Sequence, residues 1–161
     1  MKHSIAALVL LSASSAATAG GVHSGGHGAA YSFGEPGKPQ EVTRTLEIKA
    51  TDDMKFLFEP FGIKQGETIR FVIVNTGKLV HEFSFGDEAS QRAHARMMEK
   101  MPGMKHENDP TGVSLTPGET KELIWKFSKP INGKVVLACF HANHHLAGMT
   151  ASVDFQRTRT N

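Results

Sequence analysis

The sequence predicts an all-β protein, a sandwich of short strands, and three observations carry that expectation. Runs of β-branched and aromatic residues recur at short intervals, as over 68–74, 120–127 and 149–155. Turn residues separate them, at Thr51-Asp52-Asp53, Lys64-Gln65-Gly66 and Asn75-Thr76-Gly77. No long alternation of helix and strand patterns occurs, which argues against a parallel sheet with crossover helices.

Taken in order, residues 1–19 carry Lys2, an apolar run over 5–11 and small residues ending Ala17-Thr18-Ala19, the pattern of a secretory signal with an Ala-x-Ala cleavage site. The run is too short to span a bilayer, so no membrane insertion is expected after the signal is removed. About 140 residues then remain, enough for one domain with a real core and too few for two. Residues 20–40, rich in Gly, Ser and Pro and without apolar periodicity, read as a mobile arm in which His23 and His27 either are solvated, the favoured reading, or collect metal loosely. The domain itself is expected over 41–161. Its strand signals fall at Val42, Leu46 and Ile48, at Met54-Lys55-Phe56-Leu57-Phe58, and over 68–74, 79–85, 120–127, 134–140 and 149–155. Within 79–85, Leu79, Val80, Phe83 and Phe85 are expected to brace His81, and Glu82 either orients a ring nitrogen or, the favoured reading, is an exposed strand carboxylate.

The β pattern breaks over 86–110. Residues 88–101 have a helix-compatible composition that Pro102-Gly103 stops, a short helical, Met-rich insertion. On a helix His94, Met97, Met98 and Met101 share one side, and Met104 and His106 follow directly. Four methionines and two histidines within thirteen residues form either an accumulation of soft ligands suited to Cu(I) or a packing face in which flexible Met fills gaps.

One cysteine is present, in the loop Cys139-Phe140-His141-Ala142-Asn143-His144-His145-Leu146-Ala147-Gly148-Met149. A thiolate, imidazoles and a thioether are the donors of a type 1 copper site, where a Cys and two His make a trigonal plane and a distant Met tunes the potential. The spacing Cys139-x4-His144-x4-Met149 supplies one donor of each kind, and His81 is the upstream supplier of the second imidazole. His145 shifts that spacing to five and three. His141 lies about 7 Å along an extended strand from Cys139, which makes convergence hard without a sharp bend. His141 and His145, like the Met-rich segment, are candidates for additional copper. Other readings of the cysteine explain less. An inert buried thiol leaves the surrounding His and Met unexplained, as does a Cys–His nucleophile. A zinc site on His141 and His145 needs a helix across Asn143, a poor helix former. An exported chain with a single cysteine cannot pair it internally, and a bound metal is a natural protector of the thiol.

The motif Asn75-x-Gly77-x-x-x-His81-Glu82-Phe83, with the loop ending Ala147-Gly148-Met149, resembles the cupredoxins, and among them the small secreted cupredoxins linked to bacterial copper tolerance. The resemblance spans roughly 42–155. It implies a Greek-key β-sandwich holding one type 1 copper on His81, Cys139, His144 and Met149. It further implies a periplasmic location and a role in binding, sequestering or transferring copper, with copper ions and a redox or copper-transfer protein as partners. One departure is that the family's loop often reads Cys-x-x-Pro-Gly-His, whereas here Ala142-Asn143 precede His144 and a second His follows. The alternatives are a diffusible electron carrier and a Cu(I) oxidase with an exchangeable copper at the Met-rich segment.

Two enzyme classes are set aside. Multicopper oxidases flank the cysteine with histidines, and here the flanks are Ala138 and Phe140. Dinuclear electron-transfer copper centres need two thiolates. A formal net charge of +2 gives no case for nucleic acid.

Overall fold

The computed structural model describes residues 31–101, 104–106 and 108–158. The proposed signal and the first part of the arm, with His23 and His27, lie outside them. Ten strands form two sheets: β1 (Glu35–Pro36), β8 (Thr120–Lys126), β5 (Thr68–Asn75), β2 (Arg44–Thr51) and β3 (Lys55–Leu57) in that spatial order, and β4 (Ile63–Lys64), β10 (Thr150–Gln156), β9 (Lys134–Ala138), β6 (His81–Gly86) and β7 (Gly112–Leu115) in the other. The expected sandwich is present, with sheets of mixed direction. β2 runs parallel to β5, and β4 parallel to β10. Neither pair is joined by a crossover helix. The chain leaves β2 through β3, crosses to the edge of the second sheet at β4 and returns as β5.

The strands bury alternate residues as a sheet with one covered face must. Along β5, Ile69, Phe71 and Ile73 are inside, and Phe71 stacks on Phe85 of the opposite sheet with ring centroids 5.0 Å apart. Trp125 meets Phe85 at 5.6 Å and Phe33 at 5.0 Å, so aromatic contacts tie the two sheets together.

Phe33 corrects the mobile arm. Residues 31–40 belong to the fold: Phe33 is 1% exposed, Tyr31 packs edge-on against Trp125 at 4.9 Å, and β1 pairs with β8. Gly and Pro here mark an edge strand and a short 3-10 turn (Pro39–Glu41), and two aromatic anchors outweigh the local absence of apolar periodicity.

All six residues of β6 are buried, because both faces of the strand are covered. Phe83 and Phe85 point into the sandwich. Glu82 and Ser84 point the other way, beneath α1 (Glu88–Lys100), where Ser84 and Gln91 meet at 3.2 Å. Glu82 is therefore 1% exposed, which corrects the expectation of a solvated carboxylate. Leu79 is 46% exposed and does not brace His81 as expected.

The helix begins at Asp87, whose carboxylate accepts from the Ser90 N–H at 2.8 Å, and carries Glu88 in its first turn and Lys100 in its last, both matched to the helix dipole. Gln91 and Met98 are its buried residues, with His94 and Ala95 between them, whereas Met101 falls beyond the last turn and is 46% exposed. Of the four residues expected to share one side, His94 and Met98 lie on the packed stripe, Met97 is half-buried, and Met101 is lost from it. Met98 packs with Ala138 and Phe140, joined by Ala95 and Met104. Among the described residues no helix is long and apolar enough to cross a membrane.

Candidate metal centre

His81 opens β6, and Cys139 follows β9, its hydrogen-bonded neighbour. The pairing brings the Glu82 N–H to 3.2 Å from the Cys139 sulfur, which is buried. Beyond Cys139 the chain reverses through Ala142 (φ 47°) and Asn143 (φ 61°), both left-handed. Asn tolerates that region; Ala adopts it at a cost. No continuous helix runs from His141 to His145, so the helical spacing a zinc pair needs is not formed. The reversal returns His144 over the cysteine, with Nδ1 3.5 Å from Cys139 Sγ. Gly148 (φ 102°) then closes the loop in a conformation that favours glycine. Main-chain bonds stitch the expected ligands together: Cys139 N–H donates to the Met149 carbonyl at 3.1 Å, and Met149 N–H to the His144 carbonyl at 3.1 Å.

The ligand atoms of His81, Cys139 and His144 lie within 4.8 Å of one another. Met149 is fully buried at the base of the loop. His141 meets His144 edge-on at 5.6 Å on the outer side, and His145 turns its ring onto Phe140 at 4.7 Å. Of the three loop histidines, His144 is the one gathered with His81 and Cys139.

Burial, together with the Glu82 charge, pushes the Cys139 thiol up to about 12, against the pull of the N–H groups of Glu82 and His141. Without a metal the sulfur therefore keeps its proton at neutral pH. Burial also lowers His144, and the neighbouring His81 and His141 add to the effect, which leaves a neutral imidazole with a free lone pair. His81 Nδ1 is buried with no hydrogen-bond partner. An orphaned buried nitrogen beside a buried sulfur is costly in itself. A soft metal ion at this point satisfies both, so the residues present fit a thiolate–imidazole centre.

His81 is held by a residue that sequence reasoning missed. Its Nε2 lies 3.1 Å from Asp52 Oδ1, which fixes the proton on Nε2 and leaves Nδ1 as the acceptor. Asp52 also receives the N–H groups of Lys78 at 2.7 Å and Leu79 at 3.2 Å, and these bonds, with His81, lower its carboxyl. The Asn-x-Gly motif builds this arrangement. Asn75 accepts from the Gly77 N–H at 2.9 Å and donates to the carbonyls of Leu79 and Leu115. A Cβ on Gly77 would stand 1.9 Å from Asp52 Oδ1. The glycine was legible in the sequence; its partner, in an ordinary turn signal, was not.

The proposed secondary ligands divide into two groups. Met98 and Met104 join the apolar cluster, Met97 is half-buried and Met101 faces outward. His94 and His106 instead converge on Glu82: Oε1 lies 2.7 Å from His94 Nε2 and 3.5 Å from His106 Nε2. Burial raises the Glu82 carboxyl and the two imidazoles more than reverse it. Burial lowers His106, but Asp109 and Glu82 carry it up to about 9.

No protein-family model matches the chain. Over 136 residues it is 38% identical to the copper-resistant cuproprotein CopI of Rubrivivax gelatinosus, covering 83% of this chain and 81% of that one. The chain belongs to the CopI family. The CopI proteins of Vibrio cholerae and Pseudomonas aeruginosa are 36% and 32% identical, over 75% and 81% of this chain and 70% and 84% of theirs. The fold of this CopI-family chain is that of the cupredoxins. Dithionite-reduced auracyanin of Roseiflexus castenholzii superposes with a TM-score of 0.58 over 73% of this chain and 99% of its own, and auracyanin B with 0.56 over 79% and 97%, both at 17% identity.

Proposed function

We propose that the chain is a periplasmic copper-binding protein of copper tolerance, holding one type 1-like copper on His81, Cys139 and His144, with Met149 as the weak fourth ligand. The observation that carries this reading is the buried Cys139 sulfur with the orphaned Nδ1 of His81 and the Nδ1 of His144 gathered around it. Copper supplies a soft centre that a thiolate and two imidazoles bind together. The chain's part is to give up the Cys139 proton, to present His81 in one tautomer through Asp52, and to keep the sulfur out of solvent. The relatives are named for copper resistance, which supports binding, sequestration or transfer as the role.

Expression of the full chain in a bacterium lacking its own copy tests the role. Wild type should restore growth in copper, with copper and the protein recovered together from the periplasmic fraction, and Cys139→Ser should not. Equal rescue by Cys139→Ser would reject the role of this centre in tolerance. An electron-carrier role is a second reading, favoured by one observation: His144 is half-buried in a loop whose Leu146 is 77% exposed, so the centre has an apolar approach from outside. Reversible reduction by a soluble cytochrome, lost when Leu146 becomes Lys, would support it.

A further inference from the structure

The two imidazoles gathered at Cys139 have unequal surroundings. His144 is half-buried, its Nδ1 faces the Cys139 sulfur, and no carboxylate among the described residues lies within ion-pair distance of it. His81 is 0% exposed, and its Nε2 lies 3.1 Å from Asp52 Oδ1.

Asp52 belongs to the turn between β2 and β3, and hydrogen bonds fix that turn against the segment leading to His81. The Lys78 and Leu79 N–H groups donate to the carboxylate. Thr76 donates through its N–H and its hydroxyl to the Ala50 carbonyl, at 3.0 and 3.1 Å. Met54 closes the turn at φ 56°, its N–H 3.2 Å from the Thr51 carbonyl. A non-glycine residue in the left-handed region is strained and persists where its surroundings over-determine it. The fold thus tolerates local strain at the place where it sets this carboxylate.

Fixing the tautomer of a ring needs only a hydrogen-bond acceptor, and a main-chain carbonyl serves that purpose. A carboxylate does more. It draws on the Nε2 proton, which makes Nδ1 the stronger donor, and it places a negative charge behind the ring. Both effects favour the metal ion of higher charge, so Cu(II) gains more than Cu(I).

We propose that Asp52 sets the oxidation-state preference of the centre, acting through His81 to favour Cu(II) over Cu(I). This rests on the thiolate centre proposed above and adds to it a positioning residue that touches His81 and lies outside the ligand set. The hydrogen bond carries the effect, because Asp52 is 37% exposed and water screens the charge by itself. Asp53, the next residue, is exposed and supplies the same charge without that bond.

The test uses the purified full chain saturated with copper, as wild type, Asp52→Asn and Asp53→Asn. The visible band, the reduction potential from a spectroelectrochemical titration and far-UV circular dichroism are recorded on each. In the metal-free proteins, long-range proton–nitrogen spectra at a pH where the ring is neutral read the tautomer of His81. Wild type should carry the His81 proton on Nε2 alone, and Asp52→Asn should populate both tautomers. In Asp52→Asn the affinity for Cu(II) should fall about tenfold more than that for Cu(I), which raises the potential by about 59 mV. Asp53→Asn should stay close to wild type. An unchanged or lowered potential in folded, copper-loaded Asp52→Asn overturns the proposal. So does an equal rise in Asp53→Asn, which would make the effect one of surface charge, and so does a wild-type His81 protonated on Nδ1. If Asp52→Asn does not fold, Asp52→Ala, which offers the ring no acceptor, decides by the same criteria. Failure of the centre itself reads differently: wild type then shows no intense visible band, whereas failure of this proposal alone leaves the band and removes the shift.

Discussion

His81 is placed by a carboxylate 29 residues away in sequence, and this contact decides how the ring meets a metal. Asp52→Asn keeps the side chain's size and removes its charge, so the tautomer of His81 is no longer enforced. Copper affinity should fall about 10–100-fold, the usual effect of losing a carboxylate behind a ligating histidine. Gly77→Ala should act in the same direction by driving the carboxylate aside. Competition against a chelator of known affinity checks both, and unchanged affinity would reduce Asp52 to a turn residue. At this scale the sequence announced Cys139, His81 and His144, which the fold gathers, and Met149, which it buries in the same loop. It was silent on Asp52 and misleading on Glu82, because the partners of both are set by tertiary packing: a turn folded onto a strand in one case, a helix laid over a strand in the other.

Among the elements, α1 and β1 depart most from expectation. The composition over 88–101 announced a helix, but which methionines it buries depends on the face it lays on β6 and β9. Met98→Ala should destabilise the protein by about 2–5 kcal/mol through the cavity it leaves, whereas Met101→Ala should change stability by less than about 0.5 kcal/mol. Urea unfolding of the two variants separates them, and equal effects would mean that the helix packs with another face. β1 was hidden by Gly and Pro, which read as a linker although Tyr31 and Phe33 anchor it on Trp125. Phe33→Ala should therefore cost about 3–5 kcal/mol. A midpoint within error of wild type would return residues 31–40 to the status of an arm.

For the whole molecule, the two sheets, their aromatic core and the loop at one end form a single frame for the thiolate centre. Strand signals and turn residues exposed this architecture well, since half-buried strands write their burial into alternate residues. β4 and β7 escaped for lack of such a signal: β4 has two residues, and β7, four residues long, follows directly on the Met-rich interval. In the reading proposed above, the frame holds a sulfur and two imidazoles in one geometry that does not yield when copper changes oxidation state. The visible absorption spectrum of the copper-loaded protein, with copper counted in the same sample, tests that directly. Wild type should show an intense sulfur-to-copper band with one copper assigned to it; Cys139→Ser and His144→Ala should lose or strongly alter it, and His141→Ala and His145→Ala should keep it. An intense band surviving in Cys139→Ser would contradict the assignment of the centre.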